Sequence, residues 1–181
     1  LFSLALGGYG LFGIILDVEL MVVPNERLLL EQIVVPIDDA METFDQSISE
    51  HPDASMVYAR LNIVPDALFS EAIISIFRAE EGEIPVLADP GMVALRRAVF
   101  RGSAESGYGK ELRWAAETNI QPLLARAVFS RNQLLNEGVE TFQNRSATST
   151  DILHEYFVPR AGIGTFLDEL RRIVPLHEGN L

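Results

Sequence analysis

Gly7, Gly8, Gly10 and Gly13 crowd into seven positions, and Gly8-x-Gly10-x-x-Gly13 has the spacing of a dinucleotide-binding fingerprint. That fingerprint works when a strand precedes it and a helix follows, so that the helix N-terminus faces the pyrophosphate. Here Leu16, Val18, Leu20 and Val22 alternate with Asp17, Glu19 and Met21 before Pro24, which is strand periodicity. A nicotinamide-type Rossmann site is therefore excluded. Glycines without a helix still let successive backbone N–H groups come close to a phosphate or an adenine; the plainer alternative is a tight turn between two strands.

Other side chains could move protons or hold a substrate. His154 and Tyr156 alternate onto one face of a strand predicted at Ile152–Val158, where they could orient a substrate or shuttle a proton, or serve as ordinary sheet residues. Tyr58 and Arg60 share a face of a strand predicted at Ser55–Val64 and are candidates for touching substrate. His51, His154 and His177 lack ligand spacing, so no metal site is expected. Between Gly91 and Arg131 lies a basic stretch that includes Lys110, Arg113 and the only tryptophan, Trp114. It reads as a solvated helix face, a docking surface or an attractor for an anionic substrate. Asp38-Asp39 is explained by capping a helix. No Gly-x-Ser-x-Gly context supports hydrolase chemistry.

The rest of the composition narrows the classes. The 181 residues, 48% hydrophobic, suit one domain, or one domain plus part of another. A net charge of −12 argues against nucleic acid and anionic membranes as partners. The first ninety residues hold three basic and sixteen acidic side chains, the remainder eleven and ten. The apolar stretch Leu1–Leu16 is glycine-broken and shorter than the roughly 20 residues of a membrane helix. With no cysteine the redox compartment is undetermined, and a cytoplasmic location is the expectation.

The elements that must carry these groups follow from periodicity. Strands are predicted at 27–35, 55–64, 71–79 and 152–158. Helices are predicted from Asp38 to about Glu50, over 91–101, over 110–129 and over 163–174, with Leu95, Val99 and Leu112 inward in the middle pair. Leu30-Glu-Gln-Ile-Val-Val-Pro36 and Leu153-His-Glu-Tyr-Phe-Val-Pro159 each precede a helix, an internal echo. The predicted fold is α+β: a ferredoxin-like antiparallel sheet with helices packed on one face, in β-α-β-β-α-β-α order.

Leu1-Phe2-x-Leu4-x-x-Gly7-Gly8-x-Gly10-x-Phe12-Gly13-Ile14-Ile15, running into a charged alternating stretch and Pro24, resembles the end of the FAD-binding domain in FAD-linked oxidoreductases of the vanillyl-alcohol-oxidase/p-cresol-methylhydroxylase type. The resemblance implies that residues 1–26 are the C-terminal edge of an FAD-binding domain and 27–181 a cap that binds substrate. It implies that Gly7, Gly8, Gly10, Gly13, Ile14 and Ile15 lie against the adenosine half of FAD. The expected partners are a small-molecule substrate and the FAD-binding domain of the same chain, with room for a homodimer. The 181 residues by themselves are expected to retain no FAD and to be inactive. The competing expectation is a ferredoxin-like module that binds a small ligand or another protein without redox chemistry.

Overall fold

The computed structural model describes residues 11–87, 91, 93–104, 106–119, 127–136, 139–148, 150–152 and 154–176. Strand β1 (Arg27–Pro36) leads into helix α1 (Ile37–Ser49), then β2 (Ala54–Leu61) and β3 (Glu71–Ala79). A helical hairpin follows, α2 (Val93–Ala104) and α3 (Gly107–Asn119), then the short strand β4 (Val128–Ser130) and helix α4 (Arg131–Leu135). Helix α5 (Ile163–Leu176) comes last among the described elements.

The sheet order is β2-β3-β1-β4, antiparallel at every pairing. β1 and β2 thus run in the same direction with β3 between them, the split β-α-β arrangement of a ferredoxin-like α+β fold. β3 earns the centre by composition: Ala72, Ile73, Ile74, Ser75, Ile76 and Phe77 are all buried, flanked on both edges by hydrogen-bonded strands. The one polar residue of that buried run, Ser75, accepts from Gln32 Nε2 at 3.1 Å, so the hydroxyl is satisfied inside the sheet. Alternation places Leu28, Leu30, Phe77, Met56 and Phe129 on one face, where Leu134 of α4 closes the cluster. Phe77 is held between Tyr58, stacked at 5.8 Å, and Phe129, edge-on at 6.0 Å.

Pro36 ends β1 and α1 begins at the next residue, its first N–H donating to the Ser70 carbonyl at 2.9 Å. Asp38 and Asp39 make no side-chain cap; they lie in the first turn, where their charge suits the helix dipole. α5 is tied to the sheet by Arg171, which donates to the carbonyls of Leu68 and Phe69 in the β2–β3 connection. It is preceded by Arg160, which donates to the Met41 carbonyl and pairs with Asp45 of α1. The two Val-Pro–helix units of the internal echo are thereby linked at their helices.

Several sequence expectations are corrected. Residues 152 and 154–158 are irregular rather than a strand, and the strand that pairs with the outer edge of β1, over Arg27–Leu29, is β4. β4 in turn falls inside the stretch expected to be helical to Phe129, of which α3 is described as far as Asn119. Residues 14–23, expected to be a strand, pair with nothing among the described residues and are exposed throughout. Leu95, Val99 and Leu112, expected inward, are each more than half exposed. The hairpin meets the sheet through Trp114 and Glu117 instead, which turns that apolar stripe outward.

Candidate functional site

The β2 alternation that buries Met56 beside Phe77 puts Tyr58 and Arg60 on the same face, one strand repeat further along each time. Tyr58 is half-exposed on Phe77. Arg60 reaches away from the aromatic cluster toward α3, where Lys110, Arg113, Trp114 and Glu117 follow helical spacing along one face. Arg60 Nη1 donates to Glu117 Oε1 at 2.5 Å, and Arg113 Nε donates to the same oxygen at 2.9 Å. Trp114 Nε1 donates to Glu71 Oε2 of β3 at 3.1 Å, locking the indole against the sheet.

α2 supplies the other wall. Arg113 Nη1 donates to Ser103 Oγ at 3.2 Å, and that hydroxyl donates to the Phe100 carbonyl at 2.8 Å. The Arg113 guanidinium also sits 5.7 Å from the Phe100 ring centre, a cation–π contact. The two helices come together at glycines: a Cβ on Gly109 would run into the Gly102 carbonyl. Arg60, Lys110, Arg113, Ser103, Phe100 and Trp114 surround a mostly enclosed cavity of about 80 Å³, with Ile63 and Ala104 completing it.

The electrostatics of this cavity are unusual for an acidic chain. Lys110 is buried, and burial pushes its ammonium below the ordinary lysine range. Arg60 is lowered first by burial and then by the neighbouring Arg113 charge, with Glu117 opposing both. Glu117 Oε2 is itself buried and, among the described residues, accepts no hydrogen bond.

The other predicted site residues are placed elsewhere. Gly7, Gly8 and Gly10 lie outside the described residues. Gly13 has φ +149°, a conformation that favours glycine, and nothing lies within 4 Å of where a Cβ would stand. Ile14 and Ile15 beside it are exposed, so this backbone is open to a ligand's approach. The charged side chains from 11 to 26 are Asp17, Glu19 and Glu26, so a pyrophosphate would need its cations from elsewhere. His154 and Tyr156 do share a side, with rings stacked at 6.1 Å, and Tyr156 also meets Phe166 of α5 at 5.4 Å. Both are exposed on an irregular segment, and no hydrogen bond, ion pair or ring contact among the described residues joins them to Tyr58 or Arg60.

Among the described residues no three His, Cys, Asp or Glu side chains cluster as metal ligands, and no helix is long and apolar enough to cross a membrane. Comparison with protein-family models, with curated proteins and with solved structures finds no match to this chain.

Proposed function

We propose that residues 27–181 are the substrate-binding cap of an FAD-dependent oxidoreductase and that residues 1–26 belong to its FAD-binding domain. The observation that carries the reading is the behaviour of residues 11–23. They are an apolar run with every side chain exposed, opening on a glycine turn and leading straight into a ferredoxin-like sheet at Arg27. An apolar run of that length with no partner among the described residues is expected of a segment whose packing surface lies in another domain. Gly13, Ile14 and Ile15, with Gly7, Gly8 and Gly10, would lie against the adenosine half of FAD. Bound flavin would supply hydride acceptance from a substrate C–H bond. The part played by this chain is to hold and orient that substrate, with Tyr58 and Arg60 as its candidate contacts and His154 and Tyr156 as a second, separate pair.

The test is to express this chain together with the coding sequence that precedes it in its gene and to record the visible spectrum. Flavin absorbance that bleaches under a reductant is the expected result. A colourless protein that ignores added FAD overturns the reading. The 181-residue chain by itself is expected to stay colourless, and stoichiometric FAD binding by it would contradict the division at residue 26.

A ferredoxin-like module that binds a small ligand without redox chemistry is the second reading. The small cavity between β2 and the α2–α3 hairpin favours it, since such a cavity needs no flavin to bind.

A further inference from the structure

We propose that the outward side of the α2–α3 hairpin is the interface of a homodimer, in which two copies of this chain meet hairpin to hairpin across a two-fold axis. The inference stands apart from the flavin reading: it concerns a different surface and is tested on this chain by itself, so either can fail without the other.

Both helices are amphipathic, and the fold uses only part of each. Leu95 and Val99 on α2, like Tyr108 and Leu112 on α3, stand four residues apart and so share a side of their helix. The sheet is met elsewhere, through Trp114 and Glu117. The four apolar residues are each more than half exposed, Tyr108 at 75%, and with Gly102 and Phe142 they line an open, largely apolar groove of about 880 Å³. Phe142 is fixed in place there: Arg97 Nε donates to the Glu140 carbonyl at 2.6 Å, Arg101 donates to the Phe142 carbonyl, and the ring stands edge-on to Phe100 at 5.0 Å. A continuous exposed apolar surface marks a place where something else packs.

Area, charge and position point to a second copy. Leu95, Val99, Tyr108, Leu112 and Phe142 offer about 600 Å² per copy, so two copies face to face bury about 1,200 Å², the size at which specific interfaces begin. The chain carries −12 overall, whereas residues 93–119 hold five basic and three acidic side chains. Two copies therefore repel least when they meet at the hairpin. Within it the charge is split: α2 has Arg96, Arg97 and Arg101 and no acid, while Glu111 and Glu117 lie on α3. A two-fold axis that lays α2 of one copy over α3 of the other keeps the two basic helices apart and sets each against a helix that carries acids.

The hairpin is also remote from the chain's leading run. Trp114 bonds to Glu71, the first residue of β3, whereas the leading run enters beside Arg27, whose carbonyl accepts from Glu80 just past the last. About 27 Å of strand separates the two ends. A domain attached ahead of residue 25 thus arrives at the opposite end of the sheet and leaves the groove to another molecule.

Sedimentation equilibrium on the unaltered chain tests this. The expected result is a dimer of 20.1-kDa chains with a dissociation constant below about 10 μM. Leu112→Glu and Tyr108→Asp, both at exposed positions, are each expected to weaken it by tenfold or more with an unchanged far-ultraviolet circular dichroism spectrum. Leu16→Glu, in the leading run, should leave it intact. A chain still monomeric at about 100 μM overturns the proposal. So does a dimer that both hairpin variants leave intact, or one that Leu16→Glu dissolves, which would place the contact on the leading run. The two hairpin variants are independent, so one that fails to fold leaves the other to decide, and the mass of the unaltered chain needs neither.

Discussion

Residues 71–79 and residues 11–23 are both short, apolar and rich in β-branched or aliphatic side chains, yet one is the most buried strand of the molecule and the other lies open to solvent. The difference is in neighbours. β3 has β1 along one edge and β2 along the other, so its backbone groups and both faces are used. The leading run has the alternation of a strand but no strand beside it among the described residues. Apolarity states what a segment needs; a hydrogen-bonding edge decides whether the segment finds it.

The strongest way to probe that contrast is to empty the buried side of it. Phe77→Ala removes the ring held between Tyr58 and Phe129 and is expected to cost about 3–5 kcal/mol, read by urea unfolding. A loss under 1 kcal/mol would mean that β3 is not the core. Next comes Gly109→Ala, which forces the α2–α3 hairpin apart at Gly102. A cost of about 1–3 kcal/mol is expected, with faster amide exchange confined to the two helices. Exchange spread evenly over the sheet would show that the hairpin does not open as its own unit.

At the border between the two regions stands Glu26. Hydrogen bonds from Arg131 and then from Ser55 hold its carboxyl below the usual glutamate range. A carboxylate lowered in the folded state adds stability above its unfolded pKa and loses it as pH falls through the folded value. The wild type should therefore lose part of its advantage over Glu26→Gln on acidification below about pH 4.5, in thermal melts at stepped pH. Because the Glu26 side chain is still 37% exposed the effect is small, and a gap that widens in acid would refute the assignment. Smallest of all is Leu16→Asn, expected to change the stability of this chain by less than about 0.5 kcal/mol. The same substitution in a longer chain that binds flavin should be felt. If it destabilises the 181-residue chain as much as Gly109→Ala, the leading run packs on the sheet after all.

Much of the sheet is legible in the sequence because its signals are local. β3 is bounded by its own apolar run, and β1 and α1 by Pro36. β4 escapes because three residues are too few to show a period. The visible cue there is Ser130 with Gln133 three positions on, a capping pair whose serine Oγ accepts from the Gln133 N–H at 3.1 Å and starts α4. The strand expected at 152–158 carries the right residues, including Tyr156 and Phe157, but among the described residues the strand that pairs with the start of β1 is β4. The cavity is half legible. Arg60 stands out on a strand face, and Lys110, Arg113 and Trp114 stand out on a basic helix. Nothing local says that they meet, since Glu117, which joins Arg60 to Arg113, lies 57 residues beyond Arg60.

At the corner where the leading run joins the sheet, two backbone N–H groups of α4 bind it, besides the bonds of Arg131 and Ser55 to the Glu26 carboxylate. Asn25 Oδ1 accepts from the Asn132 N–H at 3.0 Å, and the Glu26 carbonyl accepts from the Arg131 N–H at 2.9 Å. β1 continues from that corner as an interior strand, paired with β3 from Leu28 to Pro36. A pull along the axis of β1 from ahead of residue 25 is therefore borne as shear along a whole ladder of bonds at once, instead of peeling them one by one. Any movement of the glycine turn toward or away from the sheet must be taken up ahead of Asn25, which makes that residue the fixed end of a lever.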